Sequence, residues 1–293
     1  MKENITEKNS GRKTAEENVK RSFDWKNLGI RVLGAAAFLL VMVPAWILGG
    51  WFWFAAMALV SLLGTFEFYR AFKIEKTLSG AAGFLSSVIY LAVLGFFPEQ
   101  DLMPFITLGF LLTMSAYVFS FKSMDAERAL ASFGGFFYLT VMASYQILIR
   151  RLDGGFYLLL FTAVASWGCD VFAYLFGMAL GKHKMSPVLS PKKSVEGAVG
   201  GVLGSTVVSG ILAFCLKGHL TLFSRPVLAC MAVTFAASLL SMVGDLLASA
   251  FKRHRNIKDY SHLIPGHGGI LDRVDSFIFI GPVIYYLALV FMK

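Results

Sequence analysis

LGIRVLGAAAFLLVMVPAWILGGWFWFAAMALVSLLGTFEFYR, residues 28–70, contains only three charged side chains, Arg31, Glu67 and Arg70. A helix crosses about 30 Å of hydrocarbon with roughly 20 apolar residues. This stretch is long enough for two crossings, and its one clear break is Gly49-Gly50. It therefore reads as spans 28–49 and 51–70, folded back on each other as an antiparallel hairpin. The pattern recurs at 78–97, 102–121, 129–149, 156–180, 196–216, 226–250 and 274–292. The expected fold is all-α: a polytopic membrane bundle of about nine transmembrane helices, forming one domain over residues 28–293.

Composition supports that reading. The chain is 57% hydrophobic and 15% charged, whereas soluble domains carry about 25% charged residues. Residues 1–27 are rich in Lys, Glu, Asn and Ser and lack apolar periodicity, so they read as a polar, disordered tail and not as a secretory signal. The net charge of +9 does not point to nucleic acid, because no basic segment is interleaved with stacking aromatics. Placing the tail in the cytoplasm puts 22 of the Lys and Arg residues on that side and 5 on the other. The positive-inside rule then fixes the orientation, and the expected location is the inner cell membrane. Cys169, Cys215 and Cys230 lie singly inside apolar runs and read as small buried hydrophobes, without disulfide or zinc spacing.

Two polar loops, near 182–195 and 251–273, stand apart from the rest. Asp245, Ser249 and Lys252 are spaced i, i+4, i+7, one helical face that could seat a metal-bound phosphate at the membrane boundary. Asp272 and Asp275 fall one turn apart at the start of the last span, where the helix N-terminus favours carboxylates. Pro265-Gly266 and Gly268-Gly269 could fold that chain back toward Asp245. Asp170 lies inside span six with Trp167 and Tyr174 on its face, and an intramembrane acid is costly enough to suggest function. Lys192, Lys193 and Ser194 precede a helix start and suit a phosphate. Gly197, Gly200, Gly201 and Gly204 give overlapping GxxxG spacings for close helix packing. Glu67 and Arg70 read as a structural i, i+3 pair. His254, His262 and His267 lack zinc spacing, and the carboxylates favour Mg²⁺.

Ser249-x-x-Lys252-Arg253, Lys258-Asp259, Pro265-Gly266-His267-Gly268-Gly269 and Asp272-Arg273-x-Asp275 together resemble the signature of the phosphatidate cytidylyltransferases, or CDP-diacylglycerol synthases. Ser190-Pro191-Lys192-Lys193-Ser194-x-Glu196-Gly197 and Trp167-x-x-Asp170-x-x-Ala173-Tyr174 are similar to further motifs of that family. The resemblance covers about residues 165–276. It implies condensation of CTP with phosphatidate to CDP-diacylglycerol and pyrophosphate, by a Mg²⁺-dependent homodimer using one metal ion or two. It also implies that Asp245 and Asp272 hold metal. Relatives often carry Glu where this chain has Ala248, so either that acid is dispensable or another, such as Asp275, replaces it.

The chemistry is consistent with such a site. A phosphomonoester with a second pKa of about 6 is already largely ionised and needs no strong base. The obstacle is repulsion between two anions, which metal ions and cationic side chains offset while aligning in-line attack. Asp275 and Asp170 are then supporting acids, and Lys192, Lys193, Lys252, Arg253 and Lys258 are phosphate ligands. Ser194, Ser249, Asp259, His267 and Arg273 join them as candidate substrate contacts, and Gly268 and Gly269 permit close backbone approach. The competing expectations are a CTP-dependent lipid kinase, a cytidylyltransferase for another lipid, or an ion-coupled transporter. No internal repeat of the kind many transporters carry is visible.

Overall fold

The computed structural model describes residues 25–97, 99–221, 223–264 and 268–292. The expected tail up to residue 24 lies outside the described residues, as do Pro265, Gly266 and His267.

Among the described residues there are nine helices: α1 Trp25–Leu48, α2 Gly50–Phe72, α3 Leu78–Phe96, α4 Met103–Phe119, α5 Ala126–Arg151, α6 Gly155–Leu180, α7 Val195–Cys215, α8 Pro226–His254 and α9 Leu271–Phe291. Seven of them, α2, α3 and α5 to α9, are long and apolar enough to cross a membrane. The apolar part of α1 (Ala36–Leu48) and α4 are shorter. The chain is thus an all-α polytopic membrane bundle, with helix positions close to those expected from the apolar runs. Two differences matter for function. α8 continues past the apolar run to His254, which brings Lys252 and Arg253 into the helix, and α9 begins at Leu271, which puts Asp272 in its first turn.

Gly49 and Gly50 join α1 to α2 with φ of +64° and +48°. Both angles lie in the left-handed region that favours glycine, so the tight hairpin link follows from the residues at that point. A Cβ on Gly49 would also land on the Arg150 guanidinium. Between α6 and α7 the chain makes a short antiparallel hairpin, β1 Lys184–Ser186 with β2 Ser190–Ser194. Nothing in its mixed polar sequence signals a strand.

α7 packs on both α6 and α8, and α9 packs against α8 and α5. Glycines allow the first of these contacts. A Cβ at Gly197 would lie 3.0 Å from the Gly177 Cα, and one at Gly201 would lie 2.8 Å from the Cys169 carbonyl oxygen. The expected close packing at the GxxxG stripe is therefore present. Lipid offers no hydrophobic drive between helices, so small residues and interhelical hydrogen bonds carry the association. Ser205 and Ser238 join α7 to α8 at 2.8 Å, and Ser166 joins α6 to α9 through Ser276 at 2.8 Å. Cys169 and Cys230 are buried as expected, but Cys215 is exposed, because it ends α7 on the outer surface of the bundle.

Two π turns interrupt the helices, Phe137–Val141 in α5 and Val164–Gly168 in α6. Each widens the helix by one residue, a feature frequent at functional sites. Both are tied to α9 near Asp275: Tyr138 donates its hydroxyl to the Asp275 carbonyl at 3.3 Å, and Trp167 stacks on Phe277 with centroids 5.1 Å apart. The second turn ends two residues before Asp170.

Candidate active site

The last turns of α8 and the first turn of α9 converge with the α6–α7 hairpin on one polar centre. Asp272 is its most constrained member. Its Oδ1 accepts from the Lys252 ammonium at 2.7 Å, and its Oδ2 accepts from the backbone N–H groups of Tyr260 at 2.9 Å and Gly269 at 3.0 Å. The carboxylate thus collects N–H donation from the preceding loop and a cation from the facing helix. Tyr260 anchors the loop from the other side by donating its hydroxyl to the Ala248 carbonyl at 3.2 Å. Burial pushes that phenol far up, and the charges of Asp272, Asp275 and Glu67 push it further, so it remains a donor. Gly268 has φ of +82°, and the Ile264 N–H closes the loop by bonding to the Gly268 carbonyl at 2.9 Å.

Behind this loop lies a residue that sequence reading assigned elsewhere. Glu67 of α2 is only 4% exposed, yet it makes no ion pair with Arg70 among the described residues. Its carboxylate accepts from Ile270 N at 3.0 Å, Leu271 N at 2.9 Å and the Ser261 hydroxyl at 2.5 Å. The i, i+3 expectation is corrected: Glu67 turns inward to cap α9, and Arg70 lies over the Phe66 ring. A Cβ at Gly269 would land on the Glu67 carboxylate, which explains a glycine there. The signal was present in the sequence as an acid within an apolar run, but the nearby arginine offered a simpler partner.

On the opposite side, Lys193 of β2 places its ammonium 2.7 Å from Asp245 Oδ2 and 3.9 Å from Asp170 Oδ1. Burial alone would lower the lysine pKa, but the Asp245 charge and hydrogen bond, with Asp170 and Asp275 beyond, raise it. Lys193 is therefore held as a cation. The hairpin that carries it is pinned at its base, where the Glu196 carboxylate accepts from the N–H groups of Lys182 and His183 at 3.1 and 3.2 Å. Ser194 accepts from Gly197 N at 3.1 Å. Its expected place among phosphate contacts must therefore be shared with capping α7.

Two cavities meet at this centre. One, of about 460 Å³, is lined by Trp167, Asp170, Asp245, Lys252, Asp259, Asp272, Arg273, Asp275 and Ser276, with Phe38 and Ile264 at its apolar side. The other, of about 430 Å³, is lined by Asp170, Tyr174, Lys192, Lys193, Ser194 and Asp245, with several methionines. Asp170 and Asp245 form a wall common to both. A narrower apolar cavity of about 240 Å³ between α1 and α2 shares Phe38 and Ile264 with the first.

Most of the expected site residues therefore gather here. Arg253 instead points to the Ile257 carbonyl at 3.4 Å, and Lys258 is exposed; neither lines the two cavities. Ser249 is half-buried and also outside their linings. Gly268 and Gly269 shape the Asp272 loop, and His267 lies outside the described residues. Ala248 is fully buried and away from the cavities, whereas Asp275 lines the first.

The donor set also bears on metal. Five carboxylates line the first cavity, hard oxygen donors of the kind Mg²⁺ takes one or two of before completing its shell with phosphate and water. No cluster of three or more His, Cys, Asp or Glu able to enclose an ion occurs among the described residues. The two lysine ammoniums, each 2.7 Å from its carboxylate, mark where positive charge is favoured.

The model of the cytidylyltransferase family matches residues 29–291. The chain is 30% identical over 261 residues to a phosphatidate cytidylyltransferase of Staphylococcus haemolyticus, covering 88% of this chain and 98% of that protein. It is 32% identical over 267 residues to the protein of the same name from Staphylococcus saprophyticus, with the same coverage. With the match running through nearly every span, the chain belongs to the cytidylyltransferase family.

Proposed function

We infer that the protein transfers the CMP moiety of CTP to phosphatidate, forming CDP-diacylglycerol and releasing pyrophosphate. The observation that carries this reading is the wall common to two cavities, where Asp170 and Asp245 meet Lys193. Two anionic substrates can approach that wall from opposite sides. The first cavity joins the apolar space between α1 and α2, which suits a two-tailed lipid entering sideways. The second carries Lys192 and Lys193, which suit the triphosphate.

In the reaction, a phosphatidate oxygen forms a bond to the α-phosphorus of CTP while the bond from that phosphorus to the α,β-bridging oxygen breaks. Lys193 and Lys252 offset the charge that collects in line, and Arg273 borders the same space. Five carboxylates would otherwise repel both substrates. Asp245 and Asp272 would hold Mg²⁺, which when bound would supply the charge neutralisation and phosphate polarisation that the carboxylates alone oppose. Glu67, Tyr260 and Gly269 keep Asp272 in place, and Asp170 and Asp275 complete the acidic lining.

The positive-inside balance supports a site facing the cytoplasm, where CTP is available. The family resemblance supports a homodimer, which the mass of the detergent-solubilised protein would test. The decisive assay incubates purified protein with CTP, phosphatidate and Mg²⁺. CDP-diacylglycerol and pyrophosphate in equal amounts are expected, and chelation of Mg²⁺ should stop both. Release of CDP with phosphorylation of an alcohol would instead identify a lipid kinase. Solute movement in vesicles without nucleotide turnover would identify a transporter.

A further inference from the structure

On the face of α8 turned away from the active centre, Leu247, Ala250, Phe251 and His254 recur at i, i+3, i+4 and i+7, which places them on one stripe. That stripe forms one side of an apolar crevice of about 620 Å³ shared with Phe72 of α2 and Phe137 of α5. At its polar end stand Glu127 and His254, joined at 3.0 Å. Beyond His254 opens a second cavity of about 410 Å³, lined by Arg70, Lys73, His254, Arg255 and Asn256, with Tyr260 at its back and no carboxylate in its lining.

The charge balance of this second cavity is uneven. Arg255 is engaged, donating to the carbonyls of Ala71 and Phe72, each at 3.2 Å, and to Glu127 at 3.4 Å. Arg70 and Lys73 are exposed and form no ion pair among the described residues. Cations confined to one cavity repel one another unless an anion lies between them. His254 borders both the basic cavity and the crevice, so an occupant spanning them must be anionic at one end and apolar along the rest.

We propose that this seam binds a resident anionic phospholipid, distinct from the substrate, with its phosphate among Arg70, Lys73 and Arg255 and one acyl chain in the crevice along α8. The bound lipid would lie against Tyr260, whose backbone N–H holds Asp272.

The test measures lipid retained by the detergent-purified full chain, by native mass spectrometry, after exposure to phosphatidylglycerol or phosphatidylcholine. Wild type should retain phosphatidylglycerol preferentially. Arg70→Gln/Lys73→Gln should weaken that retention about twenty-five-fold, taking each surface cation as a factor of about five, with unchanged turnover in zwitterionic micelles. Gly134→Leu should weaken it too, since a Cβ at Gly134, a crevice residue, meets nothing within 4 Å and a larger side chain would fill the space. Lys76→Gln/Lys122→Gln, the same charge change elsewhere, should leave retention intact. Equal retention of the two lipids, an equal loss in the control variant, or full displacement by glycerol 3-phosphate would overturn the proposal. So would a change of oligomeric mass in Gly134→Leu, which would make the crevice a contact between copies.

Discussion

Replacing Glu67 probes the proposed catalytic centre from a helix that carries none of the signature residues. In Glu67→Ala, the N–H groups of Ile270 and Leu271 lose their acceptor at a site where Glu67 itself is 4% exposed. Each unsatisfied buried donor costs about 1–3 kcal/mol, so the start of α9 is destabilised by about 2–6 kcal/mol. Most of that falls on the docked loop, because the remainder of α9 is packed along α8 and α5. At about 1.4 kcal/mol per tenfold, even the middle of the range allows a several-hundredfold fall in turnover. Glu67→Gln keeps one acceptor oxygen and should lose about 1–2 kcal/mol, near tenfold. The assay pairs the steady-state rate and its Mg²⁺ dependence with limited proteolysis around Arg253 and Lys258, while thermal melting of helix content checks the bundle. Faster cleavage of the loop in a protein with intact helices is expected, and the Mg²⁺ needed for half-maximal rate should rise as Asp272 loses its fixed position. Wild-type turnover and loop protection in Glu67→Ala would refute the reasoning.

Gly269→Ala should produce a similar loss, because its Cβ would land on the Glu67 carboxylate; combining it with Glu67→Asp, one methylene shorter, should recover part of the rate. Lys193→Met leaves Asp245 and Asp170 facing each other without their cation; the expected result is a rate lowered at least tenfold with a raised KM for CTP, partly rescued by Lys193→Arg. Asp245→Asn and Asp272→Asn should each abolish product formation. Only the second should also lower the melting temperature, since Asp272 holds two backbone N–H groups and Lys252, whereas Asp24→Asn should leave the rate unchanged.

The spans were legible because an apolar run of the right length has few other uses, and Gly49-Gly50 marked a reversal that only glycines make easily. The acidic centre was legible in the same way, since Asp170, Asp245, Asp272 and Asp275 stand out against an apolar background. Their partners were not. Lys193 looked like one of several loop cations until the β1–β2 hairpin set it against Asp245, and no local pattern encodes that hairpin. Glu67 had a nearby arginine that explained it locally, so its long-range role at the start of α9 could appear only once α2 and α9 were placed side by side. Arg253 and Lys258 share the motif but not the cavity linings: Arg253 reaches the Ile257 carbonyl, and Lys258 is exposed beyond the end of α8.

The partition formed by Asp170 and Asp245 between neighbouring chambers has a thermodynamic consequence. Whichever anion arrives first alters the field its successor meets through the same pair of side chains. Linkage requires that any help or hindrance so created be equal in both directions. Occupancy by nucleotide should therefore change lipid affinity by the same factor as lipid changes nucleotide affinity, and substitutions in the partition should alter that factor for both together.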